Sequence, residues 1–264
     1  MNKKIVSADL ATDEVIRLSS AIETPEVAEV LEPLWGSLQT YKAGSQIVRE
    51  GDDYPAVILL IDGWLSVYKT LQDGDCQMID LVLPFDIVQT ASANSHLAAA
   101  GVEALSDVTI ASLSLTAWEE LLVDNPGLRK MEATLSRASR ARIAERMLRL
   151  GRGDAMARIA YAFLELWIRL HVIGRPGRSC FHLPMTQQKI GEFTGMTSVH
   201  VCRVIGRLEN LGIISSNDHT NIVLLDVPGL AKLAEIDADD LREEIQTSIE
   251  IDINWSSLKQ AKAS

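Results

Sequence analysis

The segment LPMTQQKIGEFTGMTSVHVCRVIGRLENLGII, Leu183–Ile214, reads as two short helices joined by a tight glycine turn. Ile190 and Phe193 lie at helical spacing in the first helix, and Gly191 stands where a second helix can cross closely. Gly195 supplies the turn, because glycine reaches positive φ without steric cost. Thr197 suits the N-cap of the second helix. That helix buries Val201, Val204, Ile205 and Leu208 at 3.6-residue spacing. Ser198, Val199, His200 and Arg203 are left facing outward near its first turns. A helix-turn-helix offers its recognition helix to the DNA major groove in this way. The bland alternative is a helix pair packed for its own sake, which makes no demand on nearby charge.

Charge separates the two. From Pro126 to Ile213 there are 15 Lys/Arg against 6 Asp/Glu, a net of +9 in a chain whose overall charge is −11. Residues 1–125 carry −14 and residues 214–264 carry −6. A basic block inside an acidic chain is the electrostatic footprint expected for phosphate binding. The acidic remainder repels DNA and helps to orient the docking face.

The rest of the chain frames this segment. At 264 residues it accommodates one large or two modest domains. No apolar run approaches the roughly 20 residues that span a bilayer. The opening MNKKIVSADLATDEV lacks the apolar stretch of a secretory signal. Cys76, Cys180 and Cys202 are widely spaced and form no CxxC pair. They argue for a reducing cytoplasm and against a cysteine-built metal or iron–sulfur site. No HExxH, GxSxG, P-loop or paired-carboxylate arrangement is present, so no enzyme is expected.

Upstream, Thr24-Pro25 starts a short helical segment. Between residues 38 and 118 the runs VILLI, WLSVYKTL, CQMIDLVL and VTIASLSL alternate with Asp62-Gly63, Asp73-Gly74 and similar turns, which indicates an antiparallel barrel or sandwich. Thr90–Gly101 interrupts the strands as a short helix or a loop. Asn125-Pro126 then breaks a first helix and opens a longer one. Its stripe of Leu128, Met131, Leu135, Ala138, Ala141 or Arg142, Glu145 and Leu148 follows a three-four repeat. Such a stripe suits a helix packed on its own barrel. A homodimer seam is favoured, because helix-turn-helix proteins commonly read two half-sites with two-fold symmetry. Gly151-Arg152-Gly153 makes a hinge, Asp154 caps a second long helix, and GRPG at 174–177 ends it. After the helix pair, IISS and NIVLLD suggest a two-stranded wing, and Pro228–Ile236 one more helix. The tail beyond is acidic and polar.

This order of parts resembles the cyclic-AMP receptor protein/fumarate-nitrate regulator (Crp/Fnr) family of bacterial transcription factors. The resemblance is carried by Lys42-Ala-Gly44 through Arg49-Glu-Gly51-Asp52, Asp62-Gly63-Trp64, Tyr68-Lys69, Leu83-Pro84-Phe85-Asp86 and residues 183–203. It implies an α+β fold: a cupin-like, cyclic-nucleotide-binding-domain-like β-roll sensor, a long dimerisation helix and a C-terminal winged helix-turn-helix. The expected division is an N-terminal extension at 1–24, the β-roll at 25–124, the dimerisation helix at 125–151, the winged domain at 152–236 and an acidic tail at 237–264. Members bind palindromic promoter DNA as homodimers, which implies double-stranded DNA, a second copy and RNA polymerase as partners, in the cytoplasm and away from membranes.

The family's base-reading positions fall on Ser198, Val199 and Arg203, with His200 beside them. Arginine presents a fork that fits guanine O6 and N7. Valine stands where the family commonly has a glutamate, so it can touch only a thymine methyl. Thr186, Gln187, Gln188, Lys189 and Thr197 are the expected phosphate contacts, which position without specifying.

The sensor departs from the family's cyclic-nucleotide binders. Those carry Gly-Glu-Leu followed by an Arg-Ser or Arg-Thr pair, because a buried cyclic phosphate requires a cation and backbone N–H groups. Here Phe85–Leu105 reads FDIVQTASANSHLAAAGVEAL, no lysine or arginine occurs from Thr70 to Leu128, and Glu103 adds a negative charge. Cyclic AMP is not expected to bind in the usual mode. The N-terminal cysteine cluster of iron–sulfur members is missing. Haem would need His96 or Cys76 as an axial ligand, whereas a surface histidine and a buried structural cysteine are the commoner outcomes. A small apolar ligand, redox chemistry at Cys76 and no ligand at all stay open, so no cofactor or metal is predicted and the effector is unknown. Cys202 is a second redox candidate, though a small packing residue suits it better. The competing class is a ligand-binding or protein-interaction module that uses the helix-turn-helix for protein contacts.

Overall fold

The computed structural model of the chain describes residues 38–53, 56–92, 97–172, 180–217 and 221–245. The helix expected after Pro25, the GRPG turn and the end of the tail lie outside them. The described residues form two compact units, one drawn from residues 38–69 and 81–135, the other from residues 70–80 and 136–245.

The first unit is built on eight strands: β1 (Leu38–Tyr41), β2 (Gln46–Val48), β3 (Ala56–Asp62), β4 (Leu65–Thr70), β5 (Cys76–Val82), β6 (Ile87–Gln89), β7 (Gly101–Ala104) and β8 (Val108–Ser114). They make two four-stranded sheets, β1-β8-β3-β6 and β2-β7-β4-β5. β3 shows why its sequence, AVILLID, is apolar without alternation. Side chains alternate across a strand. Ile58 and Leu60 join Val48, Leu65, Val102 and Ile110 in one core. Val57, Leu59 and Ile61 join a second core with Trp118, Leu128, Met131 and Leu135. The latter belong to helices α1 (Leu115–Asp124) and α2 (Pro126–Arg152), so both faces of β3 are covered. Gly63 makes the tight Asp-Gly turn at φ +91°, and a Cβ there would sit 2.3 Å from the Asp107 carbonyl oxygen. In the stretch left open between helix and loop, isolated bridges pair Asp53 with Leu97 and Ala91 with Ala98, and its described part holds bridges and bends rather than a helix.

The second unit surrounds α3 (Ala155–Val172). Asp154 starts it, its carboxylate accepting from the Ala157 N–H at 2.8 Å. α3 is apolar nearly all round because neighbours cover it on several sides: α4 (Gln187–Thr194), α5 (Ser198–Asn210), α6 (Val227–Leu233) and α7 (Ala238–Ile245) all pack on it. The wing holds three strands rather than two. β9 (Cys180–His182) pairs with β11 (Asn221–Leu224), which pairs with β10 (Ile214–Asn217). α7 corrects the reading of 237–264 as a polar tail. Leu241 and Ile245, four residues apart, are buried, so the acidic segment is helical with an apolar face through Ile245.

Candidate nucleic-acid interface

α4 and α5 form the helix-turn-helix, and local chemistry fixes each corner. The Thr186 hydroxyl accepts from the Lys189 N–H at 3.2 Å, and the Thr197 hydroxyl from the His200 N–H at 3.3 Å. Gly195 ends α4 in the left-handed region, at φ 66° and ψ 42°. Gly191 permits the close approach: the Met196 N–H reaches its carbonyl at 3.0 Å, and a Cβ at Gly191 would lie 2.3 Å from the Met196 oxygen. α5 buries Val201, Val204, Ile205 and Leu208.

Those buried positions leave a continuous outer face. Ser198, Val199, His200 and Arg203 are all exposed, and Val199 is 67% exposed. Arg203 makes no ion pair with any described residue, so its guanidinium is available to a ligand. Cys202 and Arg207 are exposed too. The expectation that Cys202 packs inward therefore fails, since it shares the face of Val199 and Arg203. The helical period contained that signal, because position 202 lies three after Val199 and four after Ser198.

The expected phosphate contacts are arranged less freely. The Thr186 and Thr197 hydroxyls are occupied as caps. Lys189 pairs with Glu192 at 3.0 Å, and the Gln188 amide donates to the same carboxylate at 3.3 Å. Gln187 is half-buried. The basic block is also smaller at the surface than its formal count. Arg142, Arg146, Arg149 and Arg169 are buried. Arg142 and Arg146 reach Asp80 at 3.1 and 3.2 Å, and Arg146 and Arg169 reach Glu165 at 3.0 and 3.1 Å. Arg149 pairs with Glu145 and donates to the Ala234 carbonyl at 3.0 Å. These cations neutralise internal carboxylates and carbonyls. Arg129, Lys130, Arg137, Arg140, Arg152, Arg203 and Arg207 remain exposed.

The stripe read as a dimer seam needs correction. Leu128, Met131 and Leu135 are buried in their own chain against β3, Ala111 and Trp118. Ala138 is buried, Arg142 is committed to Asp80, and Glu145 to Arg149. Of the seven, Leu148 alone is exposed, at 55%, and Met147 beside it is 67% exposed. A three-four repeat marks the buried face of any packed helix, and here that face belongs to the protomer.

In the first unit the inner core is aliphatic. Lys69 donates to Glu50 and to the Ala99 carbonyl, and the Arg49 guanidinium donates to Gln46 at 3.0 Å. Cys76 is half-buried, with Thr70 Oγ1 3.7 Å from its sulfur; His96 lies outside the described residues. Among the described residues no three His, Cys, Asp or Glu side chains gather as metal ligands, and no helix is long and apolar enough to cross a membrane.

Comparison with known proteins places both units. Residues 38–125 match the cyclic nucleotide-binding domain family, and residues 141–233 match the Crp-like helix-turn-helix domain family. The transcriptional activator protein FnrL of Cereibacter sphaeroides is 29% identical over 206 residues, covering 76% of this chain and 82% of its own. The nitrogen fixation regulation protein FixK of Bradyrhizobium diazoefficiens is 29% identical over 227 residues, covering 84% and 93%. Among solved structures, FixK2 from Bradyrhizobium japonicum shares the fold at a TM-score of 0.66 and 24% identity, over 74% of this chain and 96% of that one. A transcriptional regulator of the CRP family from Thermus thermophilus shares it at 0.61 and 21%, over 76% and 99%.

Proposed function

Because this chain belongs to the Crp/Fnr family of transcription regulators, we propose that its DNA-binding activity takes the form of a homodimer on a palindromic promoter site. The observation that carries the proposal is the outer face of α5, where an unpaired arginine stands among small and apolar side chains. Arg203 reads a guanine through its two-pronged donor set, and Val199 meets a thymine methyl. Ser198 and His200 complete the reading edge. Gln187, Gln188 and Lys189, with the capped starts of α4 and α5 at Thr186 and Thr197, hold the phosphates. The second copy docks along the exposed side of α2, around Met147 and Leu148, in place of the buried stripe. The promoter-bound dimer then meets RNA polymerase in the cytoplasm.

The β-roll works without cyclic AMP in the usual mode. Its nearest cations, Arg49 and Lys69, are engaged by Gln46, Glu50 and Ala99, and the sequence offers no other from Thr70 to Leu128. A cyclic phosphate would be buried without a counter-charge, which is costly.

A gel-shift titration against fragments selected from genomic DNA tests both parts. Affinity for the selected site is expected to fall steeply with salt, by about 10³-fold or more between roughly 50 and 200 mM if six or more phosphates are neutralised. Added cyclic AMP is expected to leave the midpoint unchanged. Failure to select any fragment would favour a protein-contact module instead, and a saturable response to cyclic AMP would overturn the sensor reading.

A further inference from the structure

The tip of the β4–β5 hairpin groups with the DNA-binding unit, although β4 and β5 begin and end in the roll. Two of its side chains bear on the helix-turn-helix, Gln77 directly and Asp80 through Arg146. The Gln77 amide donates to the Glu192 carbonyl at 2.6 Å, across 115 residues of sequence. That carbonyl is one of the last four of α4, which lack partners inside the helix. Gly191, just before it, is already engaged by Gly195 and Met196. Asp80 works one layer deeper. It accepts from Arg142, Arg146 and Ser139. The Arg146 guanidinium also lies 4.2 Å over the ring of Phe193, the residue after Glu192. Arg158 adds a bond to the Gly195 carbonyl at 3.3 Å. The final turn of α4 is thus gripped on consecutive residues, and α4 is locked to the start of α5 through Gly191 and Met196.

We infer that Gln77 is a positioning residue for DNA reading. It fixes the last turn of α4, and hence the pose of the recognition helix, from a hairpin whose strands are continuous with the sensor roll. The inference rests on the DNA-binding reading above. It deepens that reading by naming a contact within the DNA-binding unit that sets the pose of the reader. A hydrogen bond that merely stabilised the fold would lower specific and non-specific binding together. A positioning bond acts on their ratio, because groove contacts demand an aligned helix whereas phosphate attraction does not.

The experiment uses the full chain with Gln77→Glu, which keeps the side-chain shape, removes the donor and sets a carboxylate against the Glu192 carbonyl. Gln72→Glu, exposed on the same hairpin, makes the same charge change without that contact. Affinities are measured for the selected operator and for a scrambled duplex, together with amide exchange over residues 187–196. Gln77→Glu is expected to lower the operator-to-scrambled ratio about tenfold, the scale of one well-made hydrogen bond. It should also speed exchange in α4, while Gln72→Glu leaves both as in wild type. A ratio unchanged in Gln77→Glu, or lowered equally by Gln72→Glu, overturns the inference while the DNA reading stands. A wild-type protein with no operator preference sinks that reading, and this inference with it.

Discussion

At the scale of single residues the proposed reader is Arg203. It is exposed, unpaired with described neighbours and flanked by Val199 and Cys202, which supply no competing charge. Replacing Arg203 with alanine is expected to remove roughly 1–3 kcal/mol of discrimination at one base pair, the worth of a bidentate guanine contact. Weak, salt-sensitive binding should persist, because the proposed phosphate contacts come from other side chains. Parallel titrations of operator and scrambled DNA check this, and an unchanged ratio would take Arg203 out of the role. Residues whose roles are local were legible in the sequence. Thr197 as cap, Gly195 at positive φ and the four buried apolar positions of α5 all depend on neighbours within a few positions. Cys202 has the size of a core residue, but the helical period sets it on the exposed face beside Val199.

At the scale of elements, α2 shows where sequence reading stops. Its start at Pro126, after Asn125, and the Asp154 cap of the next helix were legible from local chemistry. The fate of its stripe was not, since a helix packed on its own sheet and a helix packed on a second copy have the same period. Nor does the sequence reveal that Arg142 and Arg146 are internal. Their partner, Asp80, lies 62 and 66 residues away on β5. Burial alone would push the Asp80 carboxyl up, but Arg142, Arg146 and Arg169, with the Ser139 hydroxyl, outweigh it and hold the group well below its ordinary 3.8. A carboxyl depressed in the folded state contributes its stability in full above the ordinary value, and loses it as pH falls from there toward the folded one. The wild-type protein should therefore lose more stability than Asp80→Asn when acidified from about pH 5 to about pH 3. At neutral pH the substitution should cost about 3 kcal/mol, because Arg142, Arg146 and Arg169 stay buried with Glu165 as the carboxylate they still share. Thermal unfolding of both proteins across that range is the check, and parallel curves would mean that Asp80 carries no such load.

At the scale of the whole molecule, the formal charge contrast pointed to the right unit for a partly wrong reason. Several cations of the +9 block are spent on internal carboxylates, and only the remainder is exposed. Reading a palindrome requires two such faces held at a fixed spacing of about one helical turn of DNA. Because Leu128, Met131 and Leu135 are buried against their own sheet, the proposed dimer contact is set on the opposite side of α2. There Met147 and Leu148 expose apolar surface that a monomer gains nothing by presenting. Two substitutions then separate the faces. Met147→Glu with Leu148→Glu should leave the protomer folded, shift it to monomer in sedimentation and weaken operator binding by about 10²-fold or more, as the second half-site is no longer linked to the first. Leu135→Ala should do the reverse, costing about 2–5 kcal/mol of stability through the cavity it leaves while the species that remains folded still sediments as a dimer. If the Leu135 variant dissociates and the Met147/Leu148 variant does not, the contact lies on the buried stripe after all, and α2 must repack when two copies meet.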